Sequence, residues 1–271
     1  MYQGVYINLD RAVHRRQVVE GHLAQAGLLE RYARFAAIDG STITYGPDQV
    51  PGFAALGCTL SHLSVVKEHP DPDLHLHILE DDAVLHPEIP RVFACFTERR
   101  QPEEWDVFLT DLFLPPDVYL FKYLHSQYRK SLLDGSISFL DIGSWEFAGA
   151  SSYFVNGRSK EKFLALMEHG FAAEAPYDLR IRTLARKGLL KVHACFPFFS
   201  TLAATSSDST IAGSFEDVLP LTEYRRSFYV AADLEQIKEN LAGDKAPEPD
   251  LHKRIYLELM TALMDSGHSR F

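Results

Sequence analysis

Leu74-His75-Leu76-His77-Ile78-Leu79-Glu80-Asp81-Asp82 is an apolar run that ends in three successive carboxylates, and the reading of the whole chain starts from it. The run has the length and composition of a buried strand, and His75 and His77 fall on one face of it. Like charges at neighbouring positions repel, and the end of an apolar strand solvates them poorly. A cation resolves that conflict. Oxygen-only donors suit Mn2+ or Mg2+, which also accept ligands from substrate phosphates. In an open α/β sheet the carboxyl end of a strand is also where ligands bind. A solvated acidic turn is the plainer reading of three carboxylates, and their position directly after a strand weighs against it.

Upstream, Gly4 to Leu9 predicts a strand, and Asp10 an N-cap for a helix carried by Val18, Val19, Leu23 and Ala26 up to Gly27. Arg34 to Ile38 reads as a second strand and Ser41 to Gly52 as a surface loop. Leu56 to His69 reads as a helix stopped by Pro70 and Pro72. Downstream, a helix over Pro90–Arg99 leads to a strand over Asp106–Thr110 that ends in Asp111. The stretch Leu112–Gly143 carries no pattern we can assign. A strand over Ala150–Val155, helices over Ser159–His169 and Tyr177–Lys187 and a strand over Leu190–Phe196 complete the series. Strands alternating with helices predict an α/β fold, with a mainly parallel central sheet and helices on both faces.

The chain has 271 residues, 46% of them hydrophobic and 24% charged, enough for one continuous α/β unit. Its formal charge of −10, from 37 acidic against 27 basic residues, argues against a generic nucleic-acid binder and against electrostatic membrane anchoring as a whole. No apolar run approaches the ~18 residues of a membrane span. Met1-Tyr2-Gln3-Gly4 enters the first strand without a basic flank or cleavage signature, so no export signal is expected. Cys58, Cys95 and Cys195 lack metal-type spacing and read as reduced thiols of a cytoplasmic protein, with Cys58 packed in the core. Beyond a helix over Leu234–Leu241 and an acidic linker over Gly243–Asp250, an apolar stripe runs from Leu251 to Met264 at helical spacing. It reads as a helix packed on the domain, or as a helix that meets a partner or the inner face of a membrane with His252, Lys253 and Arg254 at its rim.

Two further segments carry candidate chemistry. Asn8 to Arg16 passes from a strand into a helix start bearing Arg11, Arg15 and Arg16. Helix N-terminal amides and guanidinium groups both favour phosphate, although a capped, charged helix face has the same appearance. In Gly57-Cys58-Thr59-Leu60-Ser61-His62, glycine permits close backbone approach, and Ser61 and His62 can reach a ligand or serve helix packing. The absence of a Gly-x-Ser-x-Gly elbow argues against a hydrolase nucleophile at Ser61.

In this order, Ile7-Asn8-Leu9-Asp10-Arg11, Gly57 to His62 and Leu79-Glu80-Asp81-Asp82 resemble the hallmarks of glycosyltransferase family 25, the lipooligosaccharide and collagen-type galactosyltransferases. Gly149-Ala150, Arg158 to Leu166 and Pro176-Tyr177-Asp178 extend the likeness, which covers roughly residues 3–210. The chain departs from the family at Val13-His14, at Val65-Val66 and around Phe196-Pro197-Phe198-Phe199.

The resemblance implies a GT-A type, Rossmann-like catalytic domain over 1–215, with a nucleotide-sugar half to about 112, an acceptor half over 113–215 and a helical extension over 216–271. It implies an inverting, Mn2+- or Mg2+-dependent transfer of a hexose, galactose foremost, from a UDP-sugar to a saccharide acceptor such as lipooligosaccharide. Asp82 would ligate the metal, Glu80 would assist directly or through water, and Asp81 would face the ribose or the donor sugar. Asn8, Leu9 and Asp39 would line the nucleoside site, Arg11 or Arg15 would approach the phosphates, and Ser61 and His62 would lie against the substrate. Asp178 would be the base that takes the acceptor proton, with Asp111 as the alternative, and His193 is either an extra metal ligand or structural. A catalytically silent glycan-binding or scaffolding protein and another metal-dependent nucleotide or phosphoryl transferase are the competing classes. The second would need a Gly-rich phosphate loop or a second acidic cluster, and neither is evident.

Overall fold

The computed structural model describes residues 1–45, 50–51, 53–114, 117–169, 176–203 and 222–243. The apolar stripe over 251–264 and residues 244–250 of the acidic linker lie outside them. The chain is α/β, with a seven-stranded sheet in the order β2 (Tyr32–Ala36), β1 (Tyr2–Asn8), β5 (His75–Glu80), β9 (Ser152–Val155), β7 (Val107–Leu109), β10 (Val192–Phe196), β8 (Ser138–Asp141). β1 runs parallel to β2 and β5, and β7 parallel to β10. β9 is antiparallel to both its neighbours and β8 is antiparallel to β10, so five of the seven strands share one direction.

Alternation along the strands sorts side chains to two layers. Val5, Ile7, Leu76 and Ile78 face one core with α2 (Ala54–Glu68), α5 (Lys160–Glu168) and α6 (Tyr177–Arg186). Tyr6, Leu79 and Phe108 face the other with α1 (Val13–Gln25) and α3 (Ile89–Glu98). In that second layer the rings of His77, Phe154 and Phe93 stack at 3.8 and 3.9 Å between centroids. Burial of a phenylalanine such as Phe93 or Phe154 contributes roughly 1.5–3 kcal/mol through removal from water.

Several local expectations are corrected. α1 begins after Ala12 without a side-chain cap, and Asp10 instead accepts from Arg34 Nη2 at 2.6 Å. The unassigned stretch holds α4 (Val118–Asp134), which buries Leu124 and Tyr128 one turn apart. Asp117 caps α4 by accepting the Leu120 N–H at 2.8 Å, and Gly135 ends it at φ +66°. Two short strands, β6 (Ala83–Leu85) and β11 (Ser200–Leu202), pair antiparallel outside the main sheet. β3 (Thr44–Tyr45) and β4 (Val50–Pro51) pair within the expected surface loop. A helical stretch over 222–227, α7, and α8 (Leu234–Gly243) close the described chain, and α8 takes in Gly243 of the expected linker. Among the described residues no helix is long and apolar enough to cross a membrane.

Candidate functional site

The carboxylate triplet lies where β1 and β5 end side by side. From β1 the chain turns outward to β2 and later returns to β5 on the other side, which makes this a topological switch point of the kind that binds ligands. The register pairs Ile7 with Glu80, so Asn8 comes next to Asp81 and its Nδ2 donates to Asp81 Oδ2 at 2.7 Å. Arg34 holds Asn8 from the far side, donating to its Oδ1 at 3.2 Å and its carbonyl at 3.1 Å. Arg15, from the first turn of α1, reaches Asp81 Oδ1 at 2.5 Å and Asp82 Oδ2 at 3.4 Å. The β6–β11 pair clamps the turn, with Ala203 N donating to the Asp82 carbonyl at 2.7 Å.

Asp81 and Asp82 are buried, and Asp82 Oδ1 has no hydrogen-bond partner among the described residues. Burial, with the neighbouring charge of Glu80 added and Arg15 opposing, pushes the Asp82 carboxyl up to about 7. Burial also raises Asp81, against the pull of Arg15 and Asn8. At Glu80 burial is outweighed by the hydrogen bond and charge of His62, with Arg225 and Arg15 adding, and its carboxyl is lowered.

Two cavities meet at these groups. The first, of about 430 Å3, is lined by Asn8, Leu9, Arg15 and the three carboxylates, and also by Arg11 and Asp39, which form an ion pair. Ser61 and His62 reach the same cavity, but the Ser61 hydroxyl is committed to the backbone. It donates to the Gly57 carbonyl at 2.7 Å and accepts from Ile38 N at 2.8 Å, tying α2 to the exit of β2. The second cavity, of about 260 Å3, shares Cys58, Glu80 and Asp82 with the first and adds Tyr177, Asp178 and Arg225.

No protein-family model and no curated protein sequence matches the chain.

Asp178 stands in the first turn of α6, and its Oδ2 accepts the N–H of Gly149 at 2.6 Å. Gly149 has φ +88°, a conformation that disfavours any side chain. Asp111 differs from the expectation of a reactive carboxylate. It is 1% exposed, lines neither cavity, and accepts from Arg225 Nε at 2.8 Å and from Arg225 Nη2. Ser151 donates to the same carboxylate, at 3.3 Å to Oδ1. Burial raises Asp111 while Arg225 and Ser151 draw it back down. Its geometry is that of a residue that positions Arg225 on the wall of the second cavity.

His193 lines neither cavity. It sits on β10 against Phe96, 5.7 Å between ring centroids, in the α3 layer away from the carboxylates. Burial lowers its pKa. Cys58 is corrected in the other direction, since it is only partly buried and lines both cavities, with Sγ 3.9 Å from Glu80 Oε1. Burial, and then the charges of Glu80, Asp178 and Asp82, push its thiol well up. His62, one turn on, puts Nε2 3.3 Å from Glu80 Oε1 and Nδ1 2.9 Å from the Tyr153 hydroxyl. Sequence reasoning missed Cys58, Tyr177, Arg34 and Arg225 as site residues. The four-residue spacing of Cys58 and His62 was a usable signal, whereas nothing local to Arg225 marks it.

Proposed function

We propose that this chain is a metal-dependent inverting glycosyltransferase that moves a hexose, galactose foremost, from a UDP-sugar to a saccharide acceptor. The observation that carries the reading is the pair of cavities meeting at Glu80 and Asp82, one lined by cationic arginines and the other by a carboxylate. Single displacement with inversion needs donor and acceptor on opposite sides of the reacting carbon, with a base on the acceptor side. The GT-A reading of the fold, with a nucleotide-sugar half to about residue 112 and an acceptor half after it, belongs to the same proposal. So does a cytoplasmic location, where a UDP-sugar is at hand.

The residues fit a hard divalent cation. Asp82 Oδ1 is a buried oxygen without a hydrogen-bond partner among the described residues, and Glu80 offers a second oxygen on the same cavity walls. When bound, Mn2+ or Mg2+ supplies positive charge to the diphosphate as UDP leaves. Asn8, held by Arg34, fixes Asp81 toward the donor. Arg15 neutralises part of the carboxylate charge and draws the phosphates in, and Arg11 adds a second guanidinium once it exchanges Asp39 for phosphate. Asp178 takes the proton of the attacking acceptor hydroxyl. Arg225, fixed by Asp111, orients the acceptor through its remaining donors.

Thermal unfolding with nucleotides tests the reading. UDP with Mn2+ should raise the melting temperature strongly and UDP with chelator only weakly, since saturation at about a hundred times Kd adds ~2.7 kcal/mol. Release of UDP from a panel of UDP-sugars then identifies the donor. Equal shifts from UDP, GDP and ADP would remove the uridine assignment, and no shift from any of them would remove the transferase.

A further inference from the structure

We propose that Cys58, His62 and Glu80 form a three-ligand site for a borderline-soft divalent cation, Zn2+ foremost, in the wall shared by the two cavities. One donor atom from each residue lies within 4.8 Å of the other two. Cys58 and His62 project one turn apart from α2, so a rigid helix sets their separation. Glu80 completes the set from β5, with Oε1 3.3 Å from His62 Nε2 and 3.9 Å from Cys58 Sγ. A tetrahedral ion with bonds of ~2.0–2.3 Å holds its donors roughly 3.3–3.8 Å apart, so two of the three edges already have about the required length.

The surroundings are those of a metal-binding imidazole. His62 Nδ1 meets the Tyr153 hydroxyl at 2.9 Å, that hydroxyl meets Tyr177 Oη at 2.6 Å, and the His62 ring stacks on Tyr177 at 4.4 Å. This chain fixes the ring and lets Nδ1 keep the proton, which leaves the Nε2 lone pair for the ion. Cys58 and Glu80 border both cavities, so the fourth position is open to water or to a substrate oxygen. Asp82, whose Oδ1 has no hydrogen-bond partner among the described residues, borders the same two cavities. On binding, the Cys58 thiol and the His62 Nε2–H that faces Glu80 each give a proton to solvent, and sulfur and nitrogen bond the ion, with no change of oxidation state. Thiolate and imidazole select Zn2+ over Mn2+ or Mg2+. Two divalent ions sharing the Glu80 carboxylate would repel each other, so Zn2+ opposes Mn2+-dependent UDP binding; this antagonism, unlike the site itself, rests on the transferase reading.

Titration of the full chain with Co2+, followed by Zn2+, tests the site without any activity assay. A thiolate-to-Co2+ charge-transfer band should saturate at one ion per chain and be bleached by Zn2+. The band should vanish in Cys58→Ala, and in Cys58→Ser if the alanine variant fails to fold. Tyr153→Phe should weaken Co2+ binding by roughly 10–100-fold. No band in the unmodified chain, or a band that persists in both Cys58 variants, overturns the proposal. UDP–Mn2+ binding without the band overturns this site and leaves the transferase reading standing. The band without UDP–Mn2+ binding supports this site and removes only the antagonism.

Discussion

Gly57 and Gly40 meet backbone to backbone: a Cβ on Gly57 would lie 2.5 Å from the Gly40 nitrogen and 2.5 Å from the Ile38 carbonyl oxygen. Neither atom can retreat, because both belong to the turn that leaves β2. This approach seats the N-terminal part of α2 against that turn and brings Cys58 and His62 to Glu80. Gly57→Ala should therefore destabilise the chain by ~1–3 kcal/mol, the usual cost of overpacking, and weaken UDP–Mn2+ binding with it. Urea denaturation at unchanged stability would show that the contact is not tight.

Asp82→Asn separates function from stability. The substitution preserves size while removing an anionic donor, so transfer should fall by orders of magnitude at limiting Mn2+. Asp82 is buried beside Glu80, with one oxygen unpartnered among the described residues, and its charge opposes folding when no cation is bound. In chelator at mildly alkaline pH the variant should melt no lower than the parent chain. Near-normal turnover in Asp82→Asn would end the metal assignment.

The two candidate carboxylates should behave oppositely. Asp178→Asn can still accept the Gly149 N–H, so it should keep its fold and its UDP–Mn2+ affinity while kcat drops by roughly 10²-fold or more. Asp111→Asn removes the counter-charge of the buried guanidinium of Arg225 and should cost ~3–5 kcal/mol of stability. Steady-state kinetics and denaturation on both variants decide the matter. A purely catalytic defect in Asp111→Asn would move the base to the end of β7.

Acid stability should depend on His77. This residue is fully buried, its ring nitrogens meet the Tyr32 hydroxyl at 2.6 Å and Ser152 Oγ at 3.0 Å, and burial lowers its pKa to about 3 from 6.5. Between those values the unfolded chain binds a proton that the folded chain does not, so stability falls as pH falls. The slope is at most ~1.4 kcal/mol per pH unit for this histidine. His77→Gln should flatten the dependence between about pH 6 and pH 4 by that amount, whatever it costs near neutrality. Parallel slopes in variant and parent would mean that His77 does not set the acid limit.

The sequence alone determined the features whose causes are local. Apolar runs predicted β1, β5 and β10, helical spacing with proline stops predicted α2, and the triplet at the end of β5 marked the candidate site. Arg11 and Arg15 were legible as candidates because they lie at a helix start directly after a strand, whereas Asn8 and Asp39 entered as neighbours only through the family resemblance. α4 was hidden by its many aromatic residues, although Asp117 and Gly135 mark both its ends. Only the tertiary structure decided the antiparallel insertion of β9 between β5 and β7, because strand order is set by packing between distant segments and leaves no trace in local periodicity. The same holds for the pairing of Asp111 with Arg225, 114 residues apart, which sets a candidate base against a buried arginine. It holds too for Cys58, which fits a buried core position by residue type and lies on two cavity walls because Gly57 brings its helix down onto Gly40.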